Sequence, residues 1–221
     1  MTRALLEKQL QEIQDEVLEL GGMVERAILG SIETLKKQDL EMAQLIITED
    51  VAINQKRFHI EERCIQLMAT QQPVASDLRQ IVAMIHIIVD LERMADHAEG
   101  IAKITLLIGK EPLIKPLIDI PRMAQKGVEM LRRSLEAFTQ RNVEAAKGIS
   151  EEDDEVDALY DQVYRELLVL MLQDPRIIQR ATYLIWVAHN LERIADRVTN
   201  ICERVVFTAT GHMVEMNVSK Y

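Results

Sequence analysis

The six residues Leu91-Glu92-Arg93-Met94-Ala95-Asp96 return one hundred positions later as Leu191-Glu192-Arg193-Ile194-Ala195-Asp196, with a single replacement of Met by Ile. The match continues upstream of this element, where Ile85 corresponds to Ile185. A period of about one hundred residues is too long for one unit of a solenoid and indicates a duplicated helical module.

An earlier segment of the chain repeats at an offset of 103 residues. The matched pairs are Ile46 with Ile149, Glu49 with Glu152, Asp50 with Asp153, and Met68 with Met171. The two offsets differ by three, so we predict that the turn between these two helices is three residues shorter in the second copy. The repeat therefore covers at least two helices of each copy.

The composition favours long helices over sheets. The 221 residues include only 8 Gly, 5 Pro, 1 Trp, 4 Tyr and 3 Phe, whereas sandwiches and barrels need many turns. The 26 Lys and Arg residues are outnumbered by 36 Asp and Glu residues, which gives a formal net charge of −10. Because nucleic-acid binding requires a positive face, we expect no nucleic-acid partner.

Apolar residues recur at alternating spacings of four and three residues, a pattern typical of helices in a bundle. In the first helix this pattern runs from Leu6 to Ala27, and we predict that the helix extends to about Lys37. Asp39 is the predicted N-cap of the second helix, and the third helix ends near Gly109.

A segment with three prolines follows Gly109 and cannot continue as one helix. It separates a first half, residues 1–111, from a second half, residues 112–221. A fourth helix, from about Pro121 to Gln140, replaces the longer first helix in the second half. We predict an all-α fold of two tandem, duplicated three-helix bundles, built from six long antiparallel helices.

No stretch of the sequence is apolar for long enough to cross a bilayer. The longest apolar run, from Ile81 to Val89, has nine residues and is interrupted by His86, whereas a spanning helix needs about 20. The N-terminus turns polar too early for a secretory signal, so we expect a cytoplasmic protein without an integral membrane segment. Cys64 and Cys202 lie within apolar patterns, and we expect buried free thiols.

Acidic residues occupy helix positions where the apolar pattern would otherwise place leucine. In each copy such an acid is followed four residues later by a second polar side chain on the same helix face. The first set is Asp50 with Asn54 and Glu92 with Asp96, and the second set is Asp153 with Asp157 and Glu192 with Asp196. These eight residues are the candidate metal ligands.

The acids of each half lie at similar heights along their helices. Asp50 precedes the predicted turn by 22 residues and Glu92 follows it by 20, so both lie about 30 Å from it. Carboxylates packed at one level repel one another and lose hydration, and a divalent or trivalent cation with oxygen ligands would offset both costs. Neutralisation by Arg57, Arg93 and Arg193 is the alternative, and the pattern alone leaves both interpretations open.

The repeated Leu-Glu-Arg-hydrophobic-Ala-Asp element, together with Asp50 to Asn54 and Asp153 to Asp157, resembles the PhoU family of bacterial phosphate-uptake regulators. The resemblance covers nearly the whole chain. It implies two three-helix bundles side by side, metal ions or clusters bound by the acidic motifs, and no enzymatic activity. By the same resemblance the metal would be iron or zinc, with magnesium or manganese as alternatives.

The resemblance also implies partners. Members of the family act with the ATPase subunit of a phosphate ABC transporter and with a phosphate-sensing histidine kinase, and they restrain phosphate uptake and starvation signalling when phosphate is plentiful. We expect the same partners here, together with self-association as a homodimer. Asn54 departs from the acidic motif, and because an amide oxygen is a weaker ligand, we expect fewer or weaker-bound ions in the first half.

Two other functions use the same residues. A ferritin-like, carboxylate-bridged metal oxidase also places acids inside a helical bundle, although the Glu-x-x-His motif of that class is missing from the sequence. A purely structural helical scaffold would use the acids only for solubility. The sequence contains no order of residues typical of a nucleophile and no glycine-rich phosphate loop, so we predict no catalytic residues.

Overall fold

The fold is entirely helical over residues 3–216, the part of the chain that this computed structural model describes. A 3₁₀ turn at Pro175–Ile177 precedes the last helix, and no strand occurs within that range. The helices are α1 Arg3–Lys37, α2 Leu40–Gln71, α3 Ser76–Ile108, α4 Asp119–Gln140, α5 Val143–Glu151, α6 Asp153–Gln173 and α7 Ile178–Thr210. The predicted all-α fold class is confirmed.

The same two-residue arrangement starts a helix in each half. Gln38 and Arg141 both adopt a left-handed backbone conformation with φ of 52°, and each is followed by an N-cap. The caps are Asp39 and Asn142, and each side chain accepts a 3.0 Å hydrogen bond from the backbone amide three residues further on. Asp39 is thus confirmed as an N-cap, and the offset of 103 residues extends the duplication to the turns.

The predicted fifth helix is interrupted at Glu152, which divides it into α5 and α6. Here the backbone bonds join residues three apart, from the Glu152 amide to the Ile149 carbonyl and from the Glu155 amide to the Glu152 carbonyl. Lys126 and Arg133 of α4 each hold the Glu152 carboxylate at 2.7 Å, which fixes the interruption against α4. If α5 and α6 are counted together as the predicted fifth helix, all six predicted helices are present.

The two halves pack on each other through α3 and α7, and α1 also contacts α4. One continuous hydrophobic core extends from Leu6 in α1 to Val206 in α7. The boundary predicted near residue 112 stays a prediction, because the core runs across it.

α1 continues through Gly21 and Gly22 without a break. Gly21 is buried where α4 approaches, and a Cβ atom at this position would overlap with Cδ1 of Leu135. The close approach of α1 and α4 therefore depends on the missing side chain.

None of the helices within residues 3–216 combines the length and the hydropathy that crossing a membrane requires. Cys64 and Cys202 are buried free thiols, as predicted. Burial raises the pKa of each thiol to about 12.

Candidate metal centre

The first acidic cluster forms between α2 and α3 around Asp50, a residue that is only 9% exposed. Burial raises the pKa of Asp50 to about 6, and the charges of Glu99, Asp96 and Glu92 raise it further. The structure thus brings together the three acids predicted for the first half.

Asn54 contacts Asp50 directly. Its amide nitrogen donates a 2.7 Å hydrogen bond to Asp50 Oδ2, whereas Asp50 Oδ1 is buried and has no hydrogen-bond partner. In this arrangement Asn54 orients a candidate ligand. An unpartnered carboxylate oxygen among other carboxylates is costly, and a cation would stabilise it.

Glu99 belongs to the first cluster, although the four-residue motif does not include it. Among neighbouring charges it contributes most to the raised pKa of Asp50, and its own carboxylate bonds Lys103 at 2.6 Å. Glu99 lies seven residues after Glu92, so the helical spacing was the available signal. Its counterpart in the second half is Thr199, and the fourth acid is therefore particular to the first half.

A cleft of about 420 Å³ opens beside the first cluster, between α1, α2 and α3. Asp50, Glu49 and Glu99 line it together with Arg26 and several apolar side chains. The cleft gives the buried Asp50 a route to solvent and to dissolved ions.

The second acidic cluster joins α6 and α7 and contains Asp157, Glu192 and Asp196. Burial, followed by the charge of Asp196, raises the pKa of Asp157 and of Glu192. Arg193 bridges two of these acids, with Nε 2.8 Å from Glu192 and Nη1 2.9 Å from Asp196. A guanidinium group therefore partly neutralises this cluster.

Asp153 lies one helical turn from Asp157 and is only 3% exposed. It faces α7 near Cys202, where burial and then the charges of Glu203 and Asp153 raise the pKa of the thiol. Asp153 is therefore more deeply buried than Asp157.

Arginine neutralisation differs between the halves. Arg93 lies 3.7 Å from Glu92 and 3.4 Å from Asp96, and its side chain is 57% exposed. Arg57 forms an ion pair with Glu61 at 2.9 Å. The alternative left open by the sequence is therefore realised in the second half and only weakly in the first.

The candidate ligands fit a cation in chemistry and in clustering, but not in the present side-chain arrangement. Within residues 3–216, no group of three or more His, Cys, Asp or Glu side chains is positioned to hold a metal ion. Arg193 contacts both oxygens of Glu192 and one of Asp196, so it would compete with a cation for them. The first cluster is the better fit, because Arg93 lies farther from its acids than Arg193 does, at 3.7 Å from Glu92 and 3.4 Å from Asp96.

Known proteins share the fold and a third or more of the sequence of this chain. The PhoU domain matches twice, over residues 17–105 and 120–205, and each match contains one acidic cluster. The chain belongs to the PhoU family. Crystal structures of PhoU proteins superpose on it: the phosphate transport system regulatory protein from Streptococcus pneumoniae has a TM-score of 0.89 and 34% identity, covering 95% of this chain and 99% of that one.

Other PhoU proteins are similar over nearly their whole length. PhoU from Pseudomonas aeruginosa superposes with a TM-score of 0.88 at 30% identity, covering 93% of this chain and 99% of that one. A phosphate-specific transport system accessory protein PhoU homolog from Clostridium acetobutylicum is 39% identical, covering 98% of this chain and 100% of that protein. A homolog of the same name from Aquifex aeolicus is 40% identical and covers 94% of each.

Proposed function

We propose that this PhoU-family chain is a regulatory accessory protein of phosphate transport. The observation that carries the proposal is the similarity, in both repeats and over nearly the full length, to phosphate-specific transport system accessory proteins. It acts in the cytoplasm on the ATPase subunit of a phosphate ABC transporter and on a phosphate-sensing histidine kinase. It restrains both when phosphate is plentiful.

The proposal includes cation binding by the two acidic clusters. Divalent or trivalent ions take oxygen ligands and would remove the repulsion among these carboxylates. The proposed ligands are Asp50, Glu92, Asp96 and Glu99 in the first half, with Asn54 as support, and Asp153, Asp157, Glu192 and Asp196 in the second. Iron or zinc is the proposed metal, with magnesium or manganese as alternatives.

Cation binding would also change the surface that a partner meets. Arg193 contacts Glu192 and Asp196, and a cation at these carboxylates would compete with it and displace it. The released guanidinium then becomes available to a carboxylate or phosphate of a partner. A local change of ligation thereby alters the charge presented by α7.

Pull-down with the purified transporter ATPase subunit tests the proposed partner. We expect binding by the wild-type chain and weaker binding after Glu92→Gln combined with Glu192→Gln. Glu41→Gln with Glu144→Gln is the matched control, because these exposed glutamates are also equivalent in the two halves. No binding by the wild type contradicts the partner, and equal binding by both double variants contradicts a role for the clusters.

Elemental analysis of the natively purified protein tests the metal. We expect at least one equivalent of bound iron, zinc, manganese or magnesium, and loss of that metal in the cluster variant. A metal-free wild type would favour the structural scaffold. Repeated oxidation of ferrous iron by the purified protein would favour the ferritin-like oxidase.

A further inference from the structure

An aromatic stripe on α6 and α7 distinguishes the second half from the first. We define it as Tyr160, Tyr164 and Leu168 on α6 with Tyr183, Trp186 and His189 on α7. The sequence contains one Trp and four Tyr, and the stripe holds that Trp and three of the Tyr. Trp186 is 50% exposed and Tyr164 is 40% exposed, so these rings are not simply core residues.

One ring contact joins the two helices, and two more lie within α6 and within α7. The centroid of Tyr160 lies 6.2 Å from that of Tyr164 and 6.1 Å from that of His189, and the Tyr183 and Trp186 rings are 5.8 Å apart. The helices are antiparallel, so Tyr164 and Trp186 both lie one turn from the Tyr160–His189 contact, towards the turn between α6 and α7. The contacts make two groups, Tyr160 with Tyr164 and His189, and Tyr183 with Trp186, and the helix spacing places these groups next to one another along the hairpin.

The duplicated fold does not require this surface. The equivalent residues are Arg57, Glu61 and Ile65 on α2 and Ala83, His86 and Val89 on α3. In the first half Arg57 and Glu61 form an ion pair at the positions of Tyr160 and Tyr164. Because the first half folds with charged residues here, packing of the repeat does not explain the exposed aromatics.

The end of the α6 and α7 hairpin is also poorly covered. No residue between 168 and 180 is buried, and Leu172 is 84% exposed. α4 has 22 residues where α1 has 35, so the third helix is about 20 Å shorter on this hairpin. Apolar surface thus continues from the stripe to the hairpin end.

The opposite end of the stripe meets the second acidic cluster. His189 Nδ1 lies 3.4 Å from Glu192, and burial followed by the charge of Glu192 raises the pKa of Tyr160. Asp157, Glu192 and Asp196 outnumber the single Arg193, so this end is negative. An apolar stripe that ends in acids complements a helix whose apolar face is followed by Lys or Arg.

We propose that the stripe binds an amphipathic helix of a partner protein, with apolar side chains on the aromatic rings and basic side chains against the acidic cluster. The proposal goes beyond the proposed function because it names the surface and the chemistry of the partner, and it does not require a bound metal. A second copy of this chain is disfavoured at this surface, because the acidic end of the stripe fits a basic segment and the chain carries a net charge of −10. Anionic membranes are disfavoured for the same reason.

A synthetic peptide tests the proposal directly. The peptide has about 20 residues, with Leu at alternating spacings of four and three, Lys in its last turns, and neither Trp nor Tyr. Trp186 reports binding because it is the one Trp of the sequence. In EDTA we expect a saturable blue shift of its fluorescence, and at least tenfold weaker binding when the Lys residues are replaced by Glu.

Matched variants locate the binding surface. We expect Tyr164→Ala with Leu168→Ala to weaken peptide binding at least tenfold in calorimetry. Glu61→Ala with Ile65→Ala, at the equivalent positions of the first half, should leave it unchanged. Circular dichroism shows whether each variant is folded. Equal affinity for the Lys and Glu peptides, or equal losses in the two variants, overturns the proposal.

Two further measurements test whether a second copy of the chain or a membrane occupies the stripe instead. Sedimentation that shows a wild-type dimer, lost in the Tyr164→Ala and Leu168→Ala variant, would assign the stripe to a second copy. Binding of wild type to phosphatidylglycerol vesicles, lost in the same variant, would assign it to a membrane. Either result overturns the proposal. The pull-down with the transporter ATPase subunit tests the proposed function, and its outcome does not decide what binds the stripe.

Discussion

Asp90 and Asn190 occupy equivalent positions one hundred residues apart, and each bonds a residue in the opposite half of the molecule. Asp90 Oδ1 accepts hydrogen bonds from Asn200 at 3.0 Å and from Arg197 at 3.3 Å. Asn190 Oδ1 lies 2.9 Å from His97 Nδ1. Because residues 97 and 197 are themselves equivalent, the contact between α3 and α7 has an approximate twofold relationship.

Asp90→Ala should lower the free energy of unfolding by about 2 kcal/mol, because it removes the shared acceptor and leaves the partners on α7 unsatisfied. Asp90→Asn keeps an oxygen at the same place, and we expect it to cost less than about 1 kcal/mol. Burial raises the pKa of Asp90, which also favours the neutral amide. Urea denaturation at pH 7.5 measures both values, and equal losses would contradict the hydrogen-bonding role.

The two adjacent glycines of α1 should respond in opposite ways to alanine. Gly22→Ala places its Cβ 3.6 Å from the Arg26 side chain, an ordinary contact, so improved helix propensity should stabilise the protein by about 0.5–1 kcal/mol. Gly21→Ala forces the buried Leu135 to move and should destabilise it by about 1–2 kcal/mol. Chemical denaturation measures both, and stabilisation by Gly21→Ala would show that α4 adjusts freely.

Much of the fold was predictable because its signals are local. The N-cap at Asp39 and the helix end at Gly109 depend on side chains and backbone within one turn. The apolar pattern of α3 was less informative. Spacings of three and four residues that start at Leu78 pass through Ile81, Ile85 and Ile88, yet Leu78 is exposed, and Met84 and Ile87, which this series omits, are buried. α3 packs against α1, α2 and α7, whereas one row of apolar residues spaced by three and four describes only one of these contacting faces.

The candidate site was predictable for most of the acids that meet, although Glu99 was missed and Asp153 lies deeper than the second cluster. Spacing of four residues places Glu192 and Asp196 on one helix face whatever else the chain does. Helical spacing after Glu92 could have added Glu99 to the first cluster, whereas the bridging role of Arg193 was not predictable, because tertiary packing decides which charges lie near a side chain. In the sequence Arg93 and Arg193 are equivalent. In the structure Arg193 lies closer to its two acids than Arg93 does.

Arg193→Met and Arg93→Met should therefore differ. Arg193→Met removes the group that bridges Glu192 and Asp196, so we expect a loss of stability of up to about 1 kcal/mol that shrinks in 1 M NaCl. Arg93→Met should change stability by less than about 0.5 kcal/mol, because its contacts are longer and exposed.

A second readout distinguishes electrostatics from packing in the same pair of variants. The charge of Arg193 lowers the pKa of Glu192 against the effect of burial. Arg193→Met should therefore raise the pKa of Glu192 further, and Arg93→Met should leave it unchanged. Carbon-detected NMR titration of the carboxyl measures this shift, and an unmoved pKa in Arg193→Met would contradict the bridging role.

Asp50 should contribute more to the stability of the metal-free protein in mild acid than at neutral pH. Its pKa is about 6 in the folded chain, above the ordinary value of 3.8, because burial and neighbouring acids disfavour the charged form. The stability that the neutral carboxyl contributes is complete below pH 3.8 and is lost as pH rises through about 6. Asp50→Asn removes this dependence and replaces the unpartnered oxygen with a neutral amide.

We therefore expect Asp50→Asn in EDTA to be more stable than wild type by about 1–2 kcal/mol at pH 7.5, with the difference disappearing near pH 4. Urea denaturation across this range measures the difference, and Asp15→Asn on the exposed face of α1 is the control. A variant less stable than wild type at pH 7.5 would show that the Asp50 carboxylate is already compensated within the protein. The charge repulsion that motivates cation binding in the first cluster would then be missing.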